Sequence, residues 1–99
     1  MATTIHQSSG NVFSDLGFAP EEALNLKVRS DLMIEISKMI EEQGLTQTAA
    51  AKLLKVTQPR ISDLVRGKID RFSVDSLIEM LGHAGVNVSF KVSAGSEAA

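Results

Sequence analysis

Two helix signals that follow each other closely, between Gly44 and Gly67, constrain the fold of this chain most strongly. Thr46 is a typical N-cap residue, and small and apolar side chains follow it at helical spacing up to Leu54. A further helix is predicted from Thr57, because the proline two residues later is tolerated in a first turn. About three residues remain between the two helices, which is the connection that a helix-turn-helix requires.

The other elements predicted from the sequence are two more helices and one strand. A long helix begins at Pro20, whose fixed φ suits a first turn, and ends at Gly44. A last helix has Ser73 as its N-cap and ends at Gly85. Apolar and polar residues then alternate from Val86 to Val92, which is the period of a β-strand. The predicted fold is therefore mainly α, with four to five helices and one C-terminal β-strand.

A chain of 99 residues is expected to build one core, to which its ends contribute little. Residues 1–10 and 93–99 are rich in small and polar side chains, so both are predicted to be disordered tails of a domain at 11–92. The absence of cysteine rules out disulfides and thiolate zinc sites and suits the cytoplasm. Neither a membrane span nor a secretory signal is recognisable, so we expect a cytoplasmic protein without membrane association.

The net charge of −2 conceals an uneven distribution of charge along the sequence. Residues 47–71 contain six basic and two acidic side chains, whereas residues 1–46 contain three basic and seven acidic ones. Binding to nucleic-acid phosphates requires a basic surface rather than a basic average. A charge run by itself often marks only a solvated surface, so it is the coincidence with the predicted helix-turn-helix that favours nucleic-acid binding.

The sequence contains no motif that indicates catalysis or a bound metal. A Gly-x-Ser-x-Gly nucleophile elbow, a glycine-rich phosphate loop and a paired acidic motif are all missing. His6 and His83 are far apart in the sequence and no cysteine accompanies them, so neither is expected to bind a metal. Met33, Met39 and Met80 are interpreted as core residues. We therefore expect a protein that is not an enzyme and that needs no cofactor.

The stretch from Gly44 to Lys68, GLTQTAAAKLLKVTQPRISDLVRGK, resembles the lambda-repressor/Cro-like helix-turn-helix family, also called the XRE family. The flanking segments Asn11–Phe18 and Phe72–Leu77 resemble its subgroup of HigA-type antitoxins and related regulators. This resemblance implies a lambda-repressor-like bundle, a homodimer bound to operator DNA and, in many relatives, a ribonuclease toxin as partner. The family usually has glycine at the position of Lys55, so a left-handed Lys55 is expected, at a cost of about 1 kcal/mol.

The resemblance also implies roles for the residues of the predicted helix-turn-helix. Gln47 matches a position that contacts phosphate, and Gln58 matches a glutamine that reads adenine N6 and N7. Arg60 is predicted to bind guanine or a phosphate. Asp63 would either accept a hydrogen bond from cytosine N4 or orient Arg60 or Arg66, and we favour the orienting role. The complete predicted DNA-binding set is Gln47, Lys55, Thr57, Gln58, Pro59, Arg60, Ser62, Asp63, Arg66 and Lys68.

The predicted C-terminal strand needs a partner, because a lone strand leaves its backbone N–H and C=O groups unpaired. Within the chain the only other candidate is Asn11–Phe13, so we favour pairing of the strand with its own copy across a two-fold axis. The predicted dimer interface consists of Val86, Val88, Phe90 and Val92. Such a dimer would suit a palindromic operator.

Two interpretations of the function remain open at this point. The first is a DNA-binding transcriptional regulator, most simply a repressor. The second is a protein-binding antidote whose helix-turn-helix mainly helps it to dimerise. The acidic long helix and the N-terminal arm favour the second interpretation, because a basic nuclease would be attracted to them.

Overall fold

The computed structural model of the protein describes the backbone of residues 2–5 and all of residues 11–93. The five α-helices in this part of the chain are α1 (Val12–Asp15), α2 (Pro20–Glu42), α3 (Gln47–Leu54), α4 (Gln58–Val65) and α5 (Val74–His83). A 3₁₀ helix, Ile69–Arg71, lies between α4 and α5, and the two strands are β1 (Ala2–Ile5) and β2 (Asn87–Phe90). The predicted mainly α fold with a C-terminal strand is confirmed.

The helices begin at the capping residues that the sequence predicts. Pro20 is the first residue of α2. The Thr46 hydroxyl accepts a hydrogen bond from the Ala49 N–H at 3.1 Å and so satisfies one of the unpaired amides at the start of α3. At the start of α5, Ser73 and Ser76 each accept a hydrogen bond from the other's backbone N–H, at 3.1 and 3.0 Å.

The helix α1 corrects the suggestion that Asn11–Phe13 could form a strand. The Asn11 carbonyl Oδ1 accepts from the Phe13 N–H at 2.9 Å, so Asn11 caps a helix instead. The Asn11 side-chain amide also donates to the Ala23 carbonyl oxygen at 3.2 Å, which ties α1 to α2. The rings of Phe13 and Phe18 meet edge to face with centroids 6.2 Å apart.

The core lies between α2, α3, α4 and α5. Its largest fully buried side chains are Leu32, Ile36, Leu54, Ile61, Leu64, Leu77 and Leu81. The three methionines predicted to be core residues are buried. Leu24, however, is 41% exposed although the helical spacing placed it on the buried stripe, because Ala23 and Leu26 occupy the inward positions in this part of α2.

The strand β2 has a partner within its own chain, which corrects the prediction that it stands alone. β1 pairs with it in parallel, from Ala2 opposite Asn87 to Ile5 opposite Phe90. Residues 2–5 therefore do not belong to a disordered tail, and the remaining tail residues, 1, 6–10 and 94–99, lie outside the described residues. Thr3, Thr4 and Ile5 are β-branched, which favours a strand. Strand pairing within the chain removes the original reason to expect a dimer through β2.

The side chains of the predicted dimer interface point in a different way from the one expected. Val86 is buried in the core, and Val88 is half-buried and packs against it. Phe90 and Val92 are 44% and 90% exposed. The alternating pattern of this segment thus reflects burial within the subunit at least for its first half.

Candidate nucleic-acid interface

The helices α3 and α4 form the predicted helix-turn-helix, and Lys55 makes the turn between them. Lys55 has φ 58° and ψ 47°, the left-handed conformation, and it is the only non-glycine residue with positive φ in the described part of the chain. Its N–H donates to the Ala51 carbonyl oxygen, which ends α3. Val56 follows and packs half-buried against the core. The predicted left-handed turn is therefore confirmed.

The helix α4 is anchored by its inner side chains and presents its N-terminus to solvent. Ile61 and Leu64 are fully buried, whereas Thr57, Gln58 and Pro59 at the start of the helix are exposed. The eight residues of α4 span about 12 Å. An N-terminus fixed in this way can enter a groove without rotating on the core.

Gln58, the predicted base-reading residue, has a neighbour that the sequence did not indicate. The Thr48 Oγ1 donates to the Gln58 Oε1 at 3.5 Å, the upper limit of a hydrogen bond. Both side chains are exposed. The Gln58 amide is thus oriented from α3, because Thr48 and Gln58 occupy the first turns of two helices whose N-termini are adjacent. Thr48 lies one residue beyond the predicted phosphate contact, Gln47, which is half-buried.

The guanidinium group of Arg60 contacts the protein itself. Its Nη1 donates to the Arg71 carbonyl oxygen at 2.6 Å, and its Cζ lies 4.3 Å from the centroid of the Phe72 ring. The second distance is typical of a cation–π contact. Phe72 is buried, so Arg60 connects α4 to the core through the segment that follows it. Contact of Arg60 with guanine or phosphate stays a prediction.

Asp63 is paired with cations other than those predicted. Its Oδ2 lies 3.3 Å from the Arg71 Nη1, and its Oδ1 lies 3.7 Å from the Lys68 Nζ. The orienting interpretation of this carboxylate is thus supported, but its partners are not Arg60 or Arg66. The reason is the chain reversal at Gly67, φ +74°, which brings the following residues back over α4.

Comparison with known proteins agrees with this geometry. A family model described as a helix-turn-helix domain matches residues 12–93. The chain belongs to this helix-turn-helix family. A solved structure described as an XRE family transcriptional regulator is 26% identical, with a TM-score of 0.69 over 79% of this chain and 88% of that one. No curated protein matches the sequence significantly.

These matches confirm the XRE-type fold that the sequence resemblance implied. Helix-turn-helix families of this kind are not enzymes, in line with the missing catalytic motifs. Among the described residues of this helix-turn-helix protein, no group of potential ligands is arranged to hold a metal ion. None of the helices that the structure describes has the length and apolar character needed to cross a bilayer. The HigA-type subgroup remains a prediction.

Arg29 on α2 holds the segment that follows α4 in this helix-turn-helix protein. Its Nη1 donates to the carbonyl oxygens of Ile69 and Phe72, at 3.2 and 3.3 Å, and its Nε donates to Asn25 Oδ1 at 2.8 Å. No pattern in the sequence pointed to this role, because Arg29 lies about forty residues from its partners. Arg71 was also missed, although it lies in the basic segment 47–71.

The predicted DNA-binding residues differ in how far they reach solvent. The exposed ones are Lys55, Thr57, Gln58, Pro59, Arg66 and Lys68. Gln47, Arg60, Ser62 and Asp63 are half-buried. The structure therefore brings together an exposed helix N-terminus and several exposed cations, which is the combination that fits a polyanion.

Proposed function

We propose that the protein is a sequence-specific transcriptional regulator that binds double-stranded DNA with the N-terminus of α4 in the major groove. The observation that carries the proposal is the anchoring of α4. Ile61 and Leu64 fix the helix on the core, while Thr57, Gln58 and Pro59 are exposed at its start. Membership of a helix-turn-helix family and similarity to an XRE regulator support the same function.

Base recognition is assigned to Gln58 in this proposal. Reading adenine requires the side-chain carbonyl to accept from N6 and the side-chain amide to donate to N7. The Thr48 hydroxyl on Gln58 Oε1 supports this role, because it selects one orientation of the amide. The carbonyl oxygen keeps a second lone pair for the base. Thr57, Pro59 and Ser62 would add contacts nearby.

Phosphate binding is assigned to the cations around α4. Lys55 in the turn and Arg66 and Lys68 after the helix are exposed, and residues 47–71 carry a net charge of +4 in a chain with a net charge of −2. Binding should therefore depend strongly on salt, because counterion release follows local contacts rather than the net charge. Gln47 at the start of α3 would contribute a further contact to the backbone of the DNA.

The simplest physiological role for such a domain is repression from a palindromic operator by a homodimer. A dimer can present two copies of α4 about 34–36 Å apart, which is one turn of DNA. The proposal needs no cofactor. It does not depend on whether a toxin is encoded beside the gene.

A second candidate function, binding and neutralising a ribonuclease toxin, is favoured by one surface. Val12 and Leu16 on and after α1 are 57% and 69% exposed. Three acidic residues of this region, Asp15, Glu21 and Glu22, are also exposed. An apolar patch with acidic neighbours suits a basic protein partner. Copurification with the product of the adjacent reading frame, lost in Leu16→Asp, would support this function.

The DNA proposal is tested by selecting duplexes from a random library and comparing Gln58→Ala with Lys68→Ala. We expect Gln58→Ala to lose about 1–3 kcal/mol on the selected duplex and little on random DNA, because it removes a base contact. Lys68→Ala should weaken both about equally. Anisotropy titrations at several salt concentrations measure the effects. Failure of the wild-type protein to enrich or bind any duplex at low salt would contradict the proposal.

A further inference from the structure

An open groove with a volume of about 550 Å³ lies between α2 and the C-terminal end of α4. Met33 and Leu64 are the buried side chains at its base. Ile34 and Val65 also line it and are 54% and 43% exposed, although both are large aliphatic residues. Burial of such side chains is favourable, so the groove is suited to cover by another apolar surface.

The polar side chains of this groove carry both signs of charge. Ser30 and Ser37 contribute hydroxyl groups, and Lys38 and Glu41 contribute one positive and one negative charge. Lys38 and Glu41 are exposed. A two-fold contact brings a surface against its own copy, so its charges must complement each other. This surface satisfies that condition, because Lys38 of one subunit can face Glu41 of the other.

The other exposed surfaces are less suited to contact with their own copies. The apolar patch at Val12 and Leu16 is accompanied by Asp15, Glu21 and Glu22, which would repel a second negative patch. The surface around the start of α4 is positive and would repel itself in the same way. On the C-terminal segment, Val86 and Val88 already pack within their own subunit.

We propose that a second copy of this chain docks on the groove through a two-fold axis, with Ile34 and Val65 at the centre of the contact. Val65 and Gly67 lie at the C-terminal end of α4, so the contact leaves the N-terminus of α4 uncovered in both subunits. The use of such a dimer on a palindromic operator rests on the proposed function. The association itself does not.

Sedimentation velocity and equilibrium on the full chain test the association, with Ile34→Glu as the decisive variant. Ile34 is exposed in the subunit, so the variant should fold, which circular dichroism verifies. Two carboxylates at the centre of the contact should weaken dimerisation about tenfold or more. Leu24→Glu is the matched control, because Leu24 is an exposed leucine of the same helix that does not line the groove; it should dimerise like the wild type.

A charge reversal gives a second, independent test. Lys38→Glu and Glu41→Lys should each weaken the dimer, and the double variant should restore it, because the pair forms between subunits. The inference is overturned if the wild type is monomeric at about 100 μM, or if Ile34→Glu dimerises as well as Leu24→Glu. It is also overturned if Val92→Glu alone separates the subunits, which would indicate contact through the C-terminal segment. A dimer that binds no DNA would contradict the proposed function and support this inference.

Discussion

Replacement of Lys55 by glycine should stabilise the protein and weaken its binding to DNA. The left-handed conformation of Lys55, φ 58°, brings its Cβ close to the following carbonyl oxygen, which costs a non-glycine residue about 1–2 kcal/mol. Glycine removes that cost but loses more conformational entropy on folding, by about 0.4–1 kcal/mol. The expected net gain is about 0.5–1 kcal/mol, or roughly 2–8 °C in Tm for a domain of this size.

The same substitution removes an exposed ammonium group that is proposed to contact phosphate. Loss of one phosphate contact should lower the slope of log affinity against log salt by about 0.9 and weaken specific and random duplexes alike. Stability and DNA affinity are therefore expected to change in opposite directions in Lys55→Gly. Thermal unfolding followed by circular dichroism and anisotropy titrations between low and moderate salt measure the two effects.

Lys55→Ala is the matched control, because alanine removes the charge but keeps the Cβ and its strain. It should show the loss of DNA affinity without the gain in Tm. A Tm of Lys55→Gly equal to or below that of Lys55→Ala would refute the argument from backbone strain. An unchanged salt slope in both variants would refute the phosphate contact while leaving the argument from strain intact.

Two further predictions concern the contacts that position the end of α4. Asp63→Asn should bind DNA about twofold to fivefold more weakly, because Lys68 and Arg71 lose the carboxylate that orients them; tighter binding in titrations would show that Asp63 only repels phosphate. Arg60→Ala should lose about 1–3 kcal/mol of stability, because its contacts with Phe72 and with the Arg71 carbonyl disappear. An unchanged Tm together with altered preference at one base pair would instead make Arg60 a base-reading residue.

Asp70→Asn provides the control for the Asp63 substitution. Asp70 is an exposed carboxylate of the same basic segment, and the structure shows no ion pair to it among the described residues. Its replacement changes the net charge by the same amount and should strengthen DNA binding slightly. Opposite effects of the two variants would separate orientation of cations from charge alone.

The local conformation of the helix-turn-helix could be predicted because neighbouring residues specify it. Thr46 and Ser73 cap helices through hydrogen bonds to amides three residues away. The left-handed turn at Lys55 and the buried positions Ile61 and Leu64 follow from spacing within about twenty residues. Strand β1 escaped prediction, because four residues carry a weak local signal and their hydrogen-bonding partner lies more than eighty residues away.

The sequence by itself determined where the helices begin and end, which side of α4 is buried and which residues start it, because capping, periodicity and turn chemistry act within a few residues. Only the tertiary structure decided the partners of the charged side chains. Arg29 contacts carbonyl groups about forty residues away, and Asp63 pairs with Arg71 rather than with the arginines of its own helix surface. Such partners depend on how the chain reverses after α4 and packs on α2. Long side chains of one charge type are locally interchangeable, so the pairing follows from distance in space.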